Sequence, residues 1–327
     1  MGSHWIEYQN TKMEDPMEYL KGDRNTLYFI GNGFDLFHEG VKSKFIHFYS
    51  WLNLKDKQHE QFVLDMENVF PISSIHGNML WTSFEKALGD FDIETVHKTF
   101  AGKEIDSLFD IDYQQRAASK IRKTFNKIPI YLKEWATQIC TDSIKQELSL
   151  GKESKYLTFN YTLLLEKLYH ISPAQIWHIH GCIDEDKPLI TGHNQDFPEY
   201  FDDTESYNDK KSLENLSEEI RSLRKPVLNI IKSNKSYFKS LSHINKVIVF
   251  GHSLSKIDYP YFREVVNNVQ DNTEWIYIGY DDAARNNYET IIKHYNNYVN
   301  NPMIIGVSQY KNKMNPKNCK YIYSNEL

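Results

Sequence analysis

The chain has 327 residues, a formal charge of −6, and 40% hydrophobic, 14% aromatic and 25% charged residues, which is the composition of a soluble globular protein large enough for one big domain with an insertion or for two ordinary ones. The acidic balance gives no global support for neutralising a phosphate backbone, so duplex DNA is not an expected partner and a small ligand suits the charge better. Cys140, Cys182 and Cys319 form no C-x-x-C pair and no apolar run reaches the roughly 20 residues of a membrane span, which argues against a disulfide framework, structural zinc and a membrane location and for a reducing, cytoplasmic setting.

In chain order, residues 1–23 read as an N-terminal tail whose first four residues, "MGSH", look like an expression scar. Short apolar runs suited to buried strands follow at 26–31, 155–160, 175–181, 188–192, 246–251, 274–280 and 302–307. Helical patterns alternate with most of them. Runs that are apolar throughout and end in glycine or a polar residue suit a mostly parallel sheet covered on both faces, so the fold class expected for residues 24–327 is a single α/β domain, doubly wound in the manner of Rossmann-like sheets. About 125 residues separate the first two runs, far more than one crossover needs. They read as helices at 41–53, 57–70, 79–89 and about 111–149, a helical insertion over about 54–150. A polar helical excursion follows at about 201–245; its first part, 201–225, reads as solvated or mobile, ahead of a helix opened by Pro226.

In an open α/β sheet ligands sit beyond the carboxyl ends of the strands, and four of those ends are chemically loaded. Gly31-Asn32-Gly33-Phe34-Asp35 supplies G-x-G, with Leu36 at the third glycine position of a dinucleotide loop. Asp35 would repel a phosphate and suits a sugar hydroxyl; the bland alternative is a helix cap. Thr158, Asn160 and Tyr161 end the second run, where Thr158 or Asn160 binds a ligand or starts the helix of "TLLLEKLYH". His178 and His180 share a strand face as metal ligands, for which His193, Asp184 or Cys182 would have to be the third partner, or as a core histidine and a site histidine. Gly251, His252, Ser253 and Asp258 close the set, with Asp258 and Pro260 also fitting a helix start. Glu85 lies beside the stripe of Trp81, Phe84 and Leu88, and with Thr82 it fits a T-x-x-E capping box.

The ordered set "FIGNGFDL", "WTSFEKALG", "TFNYTLLLE", "HIHG" and "VFGHSLSKIDYPYF" resembles the AbiH family of bacterial phage abortive-infection proteins, from about Leu27 to Arg285. The same order more distantly resembles the sirtuin-like nucleotide-binding fold of bacterial defence proteins that hydrolyse NAD. That resemblance implies that Asn160 positions a water or ribose hydroxyl, that His180 is the general base, and that Gly31 to Asp35 and Gly251 to Ser253 cradle the dinucleotide. His178 and Glu85 would support it. Asn32 stands where sirtuins have a small residue, Thr162 where they have an acid, and the four-cysteine zinc module is missing, which argues against protein deacylation.

The resulting expectation is an antiviral hydrolase: a cytoplasmic effector that binds NAD or a related nucleotide and cleaves its N-glycosidic bond, needing a base but no metal. A phage-derived trigger and a second copy of the chain are candidate partners. One rival is an RNA-cleaving nuclease using His178, His180, His193 and His252; another is a nucleotide sensor that does not hydrolyse its ligand.

Overall fold

The apolar run Thr26–Ile30 forms β1, and all five of its residues are buried. It is joined by β2 (Lys155–Thr158), β3 (Ile176–His178), β4 (Lys246–Phe250), β5 (Glu274–Gly279), β6 (Asn300–Gly306) and β7 (Ile322–Tyr323) in one sheet of order β3-β2-β1-β4-β5-β6-β7. Strands β1 to β6 pair in parallel, and β7 adds an antiparallel edge that the sequence reading did not anticipate. The fold is thus α/β, with β1 central and its neighbours drawn from both directions. This computed structural model describes residues 20–70, 79–90, 111–139, 144–194, 207–279, 286, 288, 290–291, 300–306 and 322–323.

The chain divides into two compact units, Met1–Lys42 with Ile139–Ile183 and Val227–Leu327, and Ser43–Gln138 with Asp184–Pro226. The first unit holds the sheet. Side chains alternate along a strand, so Leu27 and Phe29 enter one core with Leu157, Val247, Val249, Trp275 and Tyr277. Tyr28 and Ile30 enter the opposite core with Tyr156, Ile248, Phe250, Ile276 and Ile278. Burial on both faces explains why these strands are apolar without a break. Each fully buried large side chain contributes about 1.5–3 kcal/mol.

Short helices adjoin the strand ends: α1 (Asn32–Phe37) after β1, α8 (Leu164–Lys167) after β2, α10 (Val227–Ser233) and α11 (Lys235–Lys239) before β4, and α12 (Tyr259–Asn268) after it. The helix expected from "TLLLEKLYH" is only the four residues of α8, because His170 turns the chain at a φ of 51°. The second unit contains α2 (Phe45–Asn53), α3 (Lys57–Val69), α4 (Met79–Thr82), α5 (Phe84–Gly89), α6 (Ile111–Phe125), α7 (Ile128–Thr137) and α9 (Tyr207–Ser222). Asp56 opens α3 by accepting from the Gln58 and His59 amides. Phe48, Trp81, Phe84 and Trp135 pack into this unit's aromatic core. Residues 227–245 of the expected excursion belong to the first unit.

Three expectations fail for identifiable reasons. Residues 188–192 form no strand: Pro188 lacks an amide hydrogen, Gly192 runs at a φ of 144°, and pairing is confined to an isolated bridge between His193 and Arg224. The single helix near 111–149 is two, α6 and α7, divided before Pro129, and residues 144–150 are not helical. Within 201–225, residues 201–206 lie outside the described residues, while α9 is not wholly solvated. Its Leu216, Glu219 and Ile220 are buried, and Glu219 receives Arg122 of α6 through two guanidinium nitrogens. Among the described residues no helix is long and apolar enough to cross a membrane.

Candidate functional site

The ends of β1 and β4 approach so closely that only glycine fits. Gly31 donates to Phe250 O at 2.9 Å and Gly33 to Gly251 O at 2.8 Å. A Cβ on Gly31 would stand 2.5 Å from His252 Cα, and one on Gly251, whose φ is 63°, would stand 2.3 Å from the Gly33 carbonyl carbon. The two loops therefore form one backbone surface, at the place where the strand order reverses and ligands bind in sheets of this kind. Asn32 and Ser253 are exposed there, and Tyr161 and Gly251 are half-buried. Phe34 puts its ring into the core, 5.3 Å from that of Phe250.

Asn160 is 8% exposed and held on several sides. Its Nδ2 donates to Asp35 Oδ1 at 2.8 Å and to Gly31 O at 3.1 Å, while its backbone N–H donates to Thr158 Oγ1 at 3.2 Å. His178 Nδ1 donates to its carbonyl at 2.9 Å, and His178 Nε2 meets Glu166 Oε1 at 2.8 Å. Asn160 Oδ1, also buried, has no hydrogen-bond partner among the described residues. An unmet buried acceptor costs about 1–3 kcal/mol, and such a group calls for a functional account.

Asp35 is not a helix cap. Gly31 occupies that position, and Asp35 gives one oxygen to Asn160 and the other to Thr162 Oγ1 at 2.6 Å. Both oxygens are thus engaged inside the protein rather than turned to a sugar. Burial pushes its carboxyl up to about 6, against those two hydrogen bonds and the charge of His178. Behind the loop, burial lowers His38 to about 4, although Phe34 O accepts from its ring.

A second cluster surrounds Asp258. It holds the N-cap position of α12 but makes no side-chain cap bond. Its Oδ1 lies 3.8 Å from His180 Nε2 and its Oδ2 3.8 Å from His252 Nε2, with all three residues buried. Those distances are too long for hydrogen bonds. The Leu254 amide donates to His252 Nδ1 at 2.9 Å, which places the His252 proton on Nε2, facing the carboxylate. Tyr277 OH donates to His252 O at 3.0 Å, and the Phe159 ring packs edge-on against both histidines.

The strand-end candidates thus gather in the first unit. Glu85 does not join them: in the second unit it meets the buried Lys225 at 2.8 Å and accepts from Thr191, and the expected capping box is replaced by a break at Ser83. His193 also lies in the second unit, with Nε2 donating to Ile220 O. Among the described residues no group of three or more His, Cys, Asp or Glu side chains is arranged to hold a metal ion. An open groove of about 690 Å³, lined by Pro129, Ile130, Lys133 and Asp186 among others, lies in the second unit. Its lining lacks the convergent buried polar groups of the strand ends, so it is the weaker candidate. The sequence reading missed Glu166, whose signal was a lone carboxylate inside the leucines that follow Asn160.

Fold and site define an α/β protein with a buried polar constellation at the carboxyl ends of parallel strands. The chain belongs to the bacteriophage abortive infection AbiH family, whose match spans residues 27–279. No curated protein and no solved structure matches it significantly.

Proposed function

We propose that this abortive-infection protein binds NAD or a related nucleotide at the ends of β1 to β4 and hydrolyses its N-glycosidic bond. The observation that carries the reading is Asn160, an amide fixed by its neighbours with one buried acceptor left to receive a water or sugar hydroxyl. The strand order β3-β2-β1-β4-β5-β6 supports it, because Rossmann-like dinucleotide-binding sheets share that order. Exposed Asn32 and Ser253 mark the ligand's entry.

His180 serves as the base. With Asp258 ionised, Nε2 keeps its proton toward Oδ1 and Nδ1 is the basic nitrogen, so Asp258 positions His180 rather than touching the nucleotide. In the reaction the water oxygen bonds to C1′ as the C1′–N bond breaks. Nicotinamide leaves with that electron pair, which neutralises its ring, and the water's proton passes to His180. Such base assistance is worth about 10²–10⁴ in rate.

Purified protein, alone and with phage-infected lysate, is expected to release nicotinamide and ADP-ribose from NAD. His180→Ala and Asn160→Ala should lose about 10²-fold or more while staying folded. Well-folded wild-type protein that releases neither product under both conditions overturns the proposal.

A further inference from the structure

The grip on Asn160 has a direction. Gly31 O and an ionised Asp35 can only accept, so the side-chain amide cannot turn over without setting its own oxygen against two acceptors. Thr162 Oγ1 engages Asp35 Oδ2, which leaves Oδ1 to the amide. On the backbone side the Asn160 carbonyl also only accepts, so His178 Nδ1 carries a proton. Its Nε2 meets Glu166 Oε1 at 2.8 Å, so one proton is shared between the ring and that carboxyl group.

We infer that Asp35 with Thr162, and His178 with Glu166, are positioning residues that lock the Asn160 amide in one orientation. The place beside Oδ1 therefore takes a hydrogen-bond donor, water or a sugar hydroxyl, and refuses an acceptor such as a phosphate oxygen. This rests on the proposed reaction only in naming the donor as the attacking water or the ribose of NAD. The lock itself is a property of the folded chain. Hydrogen bonds that served stability alone would give these residues no joint effect on the amide.

The experiment reads the side-chain amide resonances of Asn160 in the full chain, isotope-labelled at asparagine and assigned by their loss in Asn160→Ala. Wild-type protein should show slow proton exchange and a chemical shift that titrates near pH 6 with Asp35, which His178 and Glu166 also face. Asp35→Asn and Thr162→Val should speed that exchange and move the shift, while Thr162→Ser, which keeps the hydroxyl, should retain wild-type values. With NAD as substrate, kcat should fall about 10²-fold in Asp35→Asn and less in Glu166→Gln, with KM little changed. Should Asp35→Asn not fold, Thr162→Val carries the test. Unaltered Asn160 resonances in the folded variants overturn the lock, whatever the activity. A wild-type protein inactive on NAD whose Asn160 resonances respond as expected keeps the lock and removes the reaction.

Discussion

Asp35 and His38, three positions apart, pull stability in opposite directions over one pH range. Asp35 rises from 3.8 to about 6 on folding, so the folded state holds its proton more tightly, and its contribution falls as pH climbs from about 4 to about 6. His38 drops from 6.5 to about 4, so its contribution grows as pH climbs through the same range. Each shift corresponds to about 3 kcal/mol, so the two largely cancel in the wild-type protein. Asp35→Asn should uncover the His38 slope, with unfolding free energy rising from pH 4 to about pH 6.5 in urea titrations. A profile parallel to wild type would show that Asp35 is not the buried acid described. Much of the site at this scale was legible. Asn160, His180 and Asp258 stood out because they end strands or open a helix, features that local pattern records. The partnership of Asp35 with Asn160 and Thr162 was not, because it joins positions more than a hundred residues apart and depends on strand register.

Among the elements, the interlocked ends of β1 and β4 make the sharpest demand on residue type. Gly31→Ala and Gly251→Ala force a methyl against backbone, at 2.5 and 2.3 Å, where no side chain can yield. Each should destabilise by about 1–3 kcal/mol or more. Gly40→Ala supplies the contrast: its φ is 93°, yet a Cβ there meets nothing within 4 Å, so only about 1–2 kcal/mol of backbone strain is expected. Denaturant midpoints for the three variants test the ranking, and equal losses would count against the close approach. The strands were readable because burial on both faces leaves unbroken apolar runs. The run at 188–192 misled because it is as apolar as a strand but begins with proline and ends at a glycine with positive φ.

Across the whole molecule, the second unit has its own buried charge. Lys225 has a side chain 1% exposed and lies 2.8 Å from Glu85. Removing one partner of a buried pair typically costs about 3–5 kcal/mol, whereas removing both is often neutral. Glu85→Gln should therefore destabilise by that order, and adding Lys225→Met should restore most of the loss in a thermal or denaturant melt. A double variant no more stable than the single one would assign Glu85 another task. The central place of β1 has a further cost, in biosynthesis. It leaves the ribosome first, β2 follows about 125 residues later and β4 about 215 residues later. At about 5–20 residues per second, "TLYFI" waits ten seconds or more for its second neighbour, an apolar strand with an open edge. Nascent chains stopped before Lys246 should accordingly pellet or be held by chaperones, while the complete chain stays in the supernatant.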